Sequence, residues 1–304
     1  MSTSGSPFSR LVTVPVTGST QDDLRSALRG PEAEAWPHLS ALRALRQTAG
    51  RGRSGRAWVT PDDGALLVSV VLRPLVPARL LTWMPLLAGL AVRDALEPFV
   101  KGRGWRMGTK WPNDVVAVPE SSTVVAPVPG WASTRKIAGV LSELVTPEPS
   151  EGRTTQLTVA DEGPAGRDEA PMVILGIGVN IGQEVDDLPV AWAGSLRTLG
   201  VVDADGDSAH AAVAEVALNA IGHQLARRLE QWEGVCGDVD AGDGALGREL
   251  RAALTTLGQH VSVQAPDGEL SGLAVDVTPA LVLRNQAGDT EVRAGDVTLV
   301  RVTG

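Results

Sequence analysis

Between Gln47 and Trp58 the chain reads Gln-Thr-Ala-Gly-Arg-Gly-Arg-Ser-Gly-Arg-Ala-Trp, with three glycines and three arginines interleaved over seven positions. Glycine reaches backbone angles that residues with a side chain avoid, and each arginine adds a permanent cation with planar donors. Such a run reads as a loop that brings main-chain N–H groups and positive charge over something anionic. Arg-Gly runs also occur in disordered segments that bind RNA without sequence preference. This one is short, does not repeat, and leads into the apolar strand Ala65-Leu66-Leu67-Val68-Ser69-Val70-Val71-Leu72. A single cationic loop beside a core strand suits a small-ligand site better.

The chain as a whole is acidic, with a net charge of -9 over 304 residues, of which 43% are hydrophobic. That balance disfavours a broad basic face for nucleic acid, and the apolar content suits one large or two unequal domains with a core. The single cysteine, Cys236, builds neither a disulfide framework nor a thiolate metal site, and the four histidines show no ligand spacing. Met1 to Arg10 is polar and lacks the apolar stretch of a signal peptide. The run from Leu80 to Val92 is interrupted by Thr82, Pro85 and Gly89 and is too short to span a bilayer. A cytoplasmic protein with no membrane and no DNA partner is expected.

Read in order, Arg10 to Val14 predicts a first strand. Ser19 with Asp22, or Thr20 with Asp23, predicts the cap of a helix ending at Gly30. Leu39, Leu42 and Leu45 recur at helical spacing. A helix is predicted from about Thr82 to Phe99, then extended chain through Trp105 to Val116 with a turn at Pro112-Asn113-Asp114. Residues 117–134 read as an elongated, mobile hairpin tip, with a return strand from Arg135 to Leu144. A short apolar patch at 156–160 reads as a strand edge. In Met172 to Ile181, Gly176 and Gly178 alternate along one strand face, which predicts that something approaches that face closely. Helices are predicted from Ser208 to Trp232 and at about 245–257. Beyond His260, regularly spaced turn signals indicate four or five short strands in a small barrel or sandwich.

Four motifs occur in one order: the Gly/Arg run, Lys110-Trp111-Pro112-Asn113-Asp114, Arg135-Lys136-Ile137-Ala138-Gly139-Val140-Leu141 and Gly176-Ile177-Gly178-Val179-Asn180. Together they make the chain resemble the biotin protein ligases, which join biotin to a lysine of a carrier domain such as that of acetyl-CoA carboxylase. The resemblance implies an α+β fold of the class II aminoacyl-tRNA synthetase type, a mixed sheet with helices on one face over residues 9–257. A small Src-homology-3-like barrel over 258–304 is implied to follow. It also implies a strand before Gln47, overriding the leucine spacing, and the monofunctional type, since fewer than twenty residues precede Ser19 and a DNA-binding domain does not fit there.

The resemblance further implies that Ser19, Thr20 and Gln47 hold the ureido ring of biotin, and that Arg51, Gly52 and Arg53 close over biotin and its adenylate. Trp58 and Arg56 are implied near the adenylate, Lys110 and Lys136 near the biotin carboxylate and the phosphates, and Asn113 and Asn180 beside the nucleotide. Gln21 stands where the family often has Asn, a departure expected to concern the helix cap more than the ligand. The substrates implied are biotin and ATP, with Mg2+ carried on the ATP phosphates rather than in a protein cage, and the partner is a biotin carboxyl carrier domain. Because two anions must meet, fixed cations rather than a strong base are required, and Arg51, Arg53, Lys110 and Lys136 supply them. The alternatives are a lipoate–protein ligase, which uses the same adenylate logic on another acid, and a non-catalytic binding module.

Overall fold

The computed structural model describes residues 5–60, 64–145, 163–202, 207–266 and 268–300. The chain opens with β1 (Arg10–Thr17), which leads into α1 (Thr20–Arg29). Ser19 caps this helix by accepting a hydrogen bond from Asp22 N, Asp22 and Asp23 lie in the first turn, and Gly30 closes it. After α1 comes β2 (Ser40–Gln47), parallel to β1, with Arg10 opposite Ser40 and Thr17 opposite Gln47. The leucine spacing here does not make a helix. Ala41, Leu42 and Ala44 are buried while Leu45 is 50% exposed, as suits a strand flanked on both sides.

The sheet continues through β3 (Ala65–Leu72), and the chain then crosses by way of α2 (Met84–Val100) to β4 (Trp105–Lys110) and β5 (Asp114–Pro119). β6 (Arg135–Val145) and β7 (Met172–Asn180) complete seven strands in the order β1-β2-β3-β7-β6-β5-β4. Only the β1–β2 pairing is parallel, so the sheet is mixed, as expected. The strand edge expected at 156–160 lies outside the described residues.

Helices cover both faces of this sheet, not one. Leu24 and Leu28 of α1 pack with Leu42, Val71 and Ile174 on the first face. Leu66, Val68 and Val70 point the other way, into a core shared with α2 and with α3 (Asp207–Gly234). The reason lies in β3, buried almost throughout its length, because an inner strand with two apolar rows needs cover on each side. No described helix is long and apolar enough to cross a membrane.

Helix α4 (Ala245–Ala253) ends earlier than its composition suggests, and Thr255 N then donates to Thr109 O at 2.8 Å, running the chain alongside β4. Five antiparallel strands follow: β8 (His260–Ala265), β9 (Gly268–Val277), β10 (Leu281–Asn285), β11 (Gly288–Val292) and β12 (Asp296–Leu299). Their order is β11-β10-β9-β8-β12, and the sheet stays open, so the expected closed barrel is not formed among the described residues. The outer edge of the four-residue β12 is met by a different segment. Leu299 N donates to Gly130 O at 3.0 Å. Residues 120–134 are accordingly a pinned structure rather than a mobile tip, with Val128 bridged to Ala132 and Trp131 buried.

Candidate active site

The pairing register aligns Leu67, Gly178 and Gly139 in one cross-strand row, and Ser69, Gly176 and Leu141 in the next, on the face that α1 only partly covers. Two glycines side by side leave the sheet bare, and a cavity of about 300 Å3 opens above them. The Trp58 ring lies against this strip. A Cβ at Gly178 would meet Trp58 Cε2 at 2.5 Å, and one at Gly139 would meet Cζ3 at 2.8 Å, so both positions require glycine for this approach. The close approach expected at Gly176 and Gly178 is thus made by the chain itself. Trp58 Nε1 is buried and has no hydrogen-bond partner among the described residues.

One end of the cavity is polar. Thr20 donates to Gln47 Oε1 from its backbone N at 2.7 Å and from Oγ1 at 3.0 Å, and Thr20 Oγ1 meets Ser69 Oγ at 2.8 Å. Ser19 lies at the same end, at the head of α1. Gln21 is not confined to the cap. It is buried, lines the cavity, and packs its amide oxygen against the bare backbone of Gly176.

The Gly/Arg loop folds on itself to form the rim. Gly52 N donates to Arg56 O at 2.7 Å, Trp58 N donates to Gly50 O at 2.9 Å, and the tip turns through Ser54 (φ 54°) and Gly55 (φ 73°). Each arginine is held by a different element. Arg51 pairs with Asp22 of α1 at 2.5 Å, Arg53 Nη1 donates to Asn113 Oδ1 at 3.2 Å, and Arg56 pairs with Asp296 of β12. Burial lowers the Arg53 pKa, with Asp114 opposing it.

Lys110, only 6% exposed, points in from the end of β4. Its Nζ donates to Val297 O at 2.6 Å and lies 4.0 Å from the centroid of the Trp131 ring. Burial lowers its pKa to about 8, Asp114 raising it and Lys136 lowering it further. Lys136 Nζ lies 2.6 Å from Asp114 Oδ1 and 5.5 Å from the centroid of the Trp58 ring. Asn113, whose Nδ2 donates to Val140 O at 2.6 Å, completes this side.

Eleven of the twelve residues expected at the site therefore line one cavity: Ser19, Thr20, Gln47, Arg51, Gly52, Arg53, Arg56, Trp58, Lys110, Asn113 and Lys136. Asn180 does not. At the last position of β7 its Nδ2 donates to Gly194 O at 2.9 Å, tying down the returning chain. Trp131, Trp192, Asp296 and Val297 also line the cavity; the last three arrive from segments remote from every motif, and Trp131, just upstream of the Arg135 motif, carries no local signal of its own.

A polar pocket end, a bare strip floored by glycine and five converging cations define a protein that holds a ligand with a polar head and a negatively charged tail. Known proteins agree with that description. The profile of the biotin/lipoate A/B protein ligase family matches residues 14–159. A biotin–[acetyl-CoA-carboxylase] ligase from Mycobacterium tuberculosis is 30% identical across 98% of this chain and 91% of its own length, and one from Paracoccus denitrificans is 29% identical across 92% and 97%. In fold, the biotin protein ligase of Aquifex aeolicus, in complex with biotin and ATP, superposes with a TM-score of 0.63 over 97% of this chain and 100% of that one, at 23% identity. The chain belongs to the biotin protein ligase family.

Proposed function

We propose that this chain joins biotin to a lysine of a biotin carboxyl carrier domain, such as that of acetyl-CoA carboxylase, by way of biotinyl-5'-AMP. The observation that carries the reading is the lining of one cavity by the cations Arg51, Arg53, Lys110 and Lys136 together with the Ser19, Thr20 and Gln47 cluster. The polar cluster suits the ureido ring, and the strip at Gly139 and Gly178 admits a flat body if Trp58 moves aside.

In the first step a carboxylate oxygen of biotin attacks the α-phosphorus of ATP, and pyrophosphate leaves with the bonding electron pair. Repulsion between the anions and the charge growing on the phosphoryl oxygens are the barrier, so preorganised cations are the main catalytic resource. Lys110 and Lys136 sit on strands and are fixed, whereas Arg51, Arg53 and Arg56 ride on a loop with glycine hinges and adjust as the ligand enters. Mg2+ would screen the phosphate charge. Mg2+ carried in on ATP oxygens would supply that screening without a protein cage.

In the second step the amine of the carrier lysine attacks the mixed anhydride carbonyl, AMP leaves, and the amine proton is lost to solvent. Until then water must be excluded, a role the Gly/Arg loop at the cavity rim would take by closing over the intermediate. Incubating the protein with biotin, Mg·ATP and a carrier domain should add one biotin to the carrier, read by intact mass. ATP–pyrophosphate exchange triggered by biotin but not by lipoate separates the reading from a lipoate ligase, and no exchange with either acid would sink it.

A further inference from the structure

Lys110 is a buried cation whose acidic neighbour is already engaged. Asp114, the carboxylate that acts on it, is ion-paired with Lys136 at 2.6 Å. What meets the Lys110 ammonium directly is a neutral carbonyl, Val297 O, and the face of Trp131. A ring face attracts a desolvated ammonium through its quadrupole, and it does so without neutralising the charge. A carboxylate in the same place would cancel the positive field that an incoming phosphate needs.

We propose that Trp131 is a positioning residue for Lys110, holding the ammonium at the cavity wall as an uncancelled charge for adenylation. The proposal rests on the adenylation reading above. The residue is held both at its ring and at its backbone. It stacks on Trp192 with centroids 5.7 Å apart and planes 7° from parallel. Trp131 N donates to Val128 O at 3.0 Å, and Thr134 Oγ1 donates to Trp131 O at 2.6 Å. Gly130, at φ +76°, passes so close to β12 that a Cβ would meet Thr298 at 3.3 Å. Trp192 O in turn accepts from Lys136 N at 2.8 Å, so the stacked indoles span the strand positions of both lysines. The segment 120–134 thereby gains a purpose, since it brings a ring to the one ammonium of the lysine pair that forms no ion pair among the described residues.

The test is a double-mutant cycle on the full chain, with initial rates of biotin-dependent pyrophosphate release. Trp131→Leu is expected to lower kcat about tenfold to thirtyfold, the loss of a desolvated cation–π contact, with KM for biotin and ATP within about twofold. Trp131→Phe, which keeps a ring, should recover to within about threefold of the parent. In a Lys110→Met background the Trp131→Leu change should alter kcat by less than about twofold, because the group it serves is gone. Equal losses in both backgrounds, or a phenylalanine variant as slow as the leucine one, would overturn the proposal. Trp131→Met replaces the leucine variant if that one melts below the assay temperature. A second readout needs no turnover: competitive acetylation of the free protein at pH 8, resolved by peptide mass. Since about half of a group with a pKa of about 8 is already neutral at pH 8, Lys110 labelling should rise up to about twofold in Trp131→Leu, the ceiling at that pH, and stay near parent in Trp131→Phe, and equal labelling in all three would also refute it. If the parent releases no pyrophosphate with biotin, the functional reading fails while the labelling contrast still judges the positioning.

Discussion

Raising the pH should silence adenylation before it harms the fold. Burial, opposed by Asp114 and reinforced by Lys136, brings the Lys110 pKa from 10.5 to about 8. That difference is a cost of about 3 kcal/mol on the charged form, an order-of-magnitude figure. Below about pH 8 the ammonium is charged and able to meet phosphate, and above it the proton leaves. The value of kcat/KM for pyrophosphate release, which reports groups of the free enzyme, should be level well below the midpoint, fall about fivefold from pH 8 to pH 9, and approach a tenfold loss per pH unit beyond that. The Lys110 contribution to stability runs the opposite way. Because the folded pKa is depressed, the unfolded chain holds more protons between pH 8 and 10.5, and stability grows across that window by about 3 kcal/mol. Alkaline loss of activity with a level or rising melting temperature is therefore the signature. With ATP saturating, the midpoint of kcat should move up, since bound phosphates favour the ammonium. In Lys110→Arg, which stays charged throughout, the alkaline limb should vanish even if the plateau is lower. A flat parent profile to pH 9.5, or the same limb in Lys110→Arg, would refute the reasoning.

Other outcomes test separate parts of the site. Lys110→Ala should slow pyrophosphate release about 10²–10³-fold in a folded protein, the scale for losing one preorganised stabiliser of developing charge; near-parent rates would exclude the role. Arg53→Ala frees the Asn113 contact and should let labelled biotinyl-AMP escape faster than in the parent, so unchanged retention would mean that the loop is no cover. Gly178→Val places carbon where Trp58 Cε2 lies 2.5 Å from an ideal Cβ and should weaken biotin binding at least about tenfold in calorimetry, because the displaced ring and the new side chain compete for the same strip.

Local rules made much of this molecule readable. The α1 boundaries follow from Ser19, Asp22 and Gly30, and Gly176 with Gly178 announced a crowded strand face. Where spacing misled, at Leu39, Leu42 and Leu45, the neighbouring strands outweighed it, because burial between β1 and β3 is a tertiary matter that a leucine count does not contain. Motif order picked out eleven residues that line one cavity, while Asn180, at the end of β7, turns its amide toward the backbone at Gly194 and lies outside that lining. Helices on both faces and the open C-terminal sheet also escaped, since each depends on which strands become neighbours rather than on any one stretch. Trp131, Trp192 and Asp296 were invisible for the same reason: their partners are Lys110, each other and Arg56, tens to hundreds of positions away.

The smaller sheet is more than ballast. Through Val297 O and Asp296 it grips Lys110 and Arg56, one cation from a strand and one from the loop. Grafting the last five strands from a relative would consequently transplant part of the electrostatic grip along with the scaffold, and a chain cut before His260 would take Val297 O from Lys110 and Asp296 from Arg56. Modularity in sequence is here no guide to independence in chemistry.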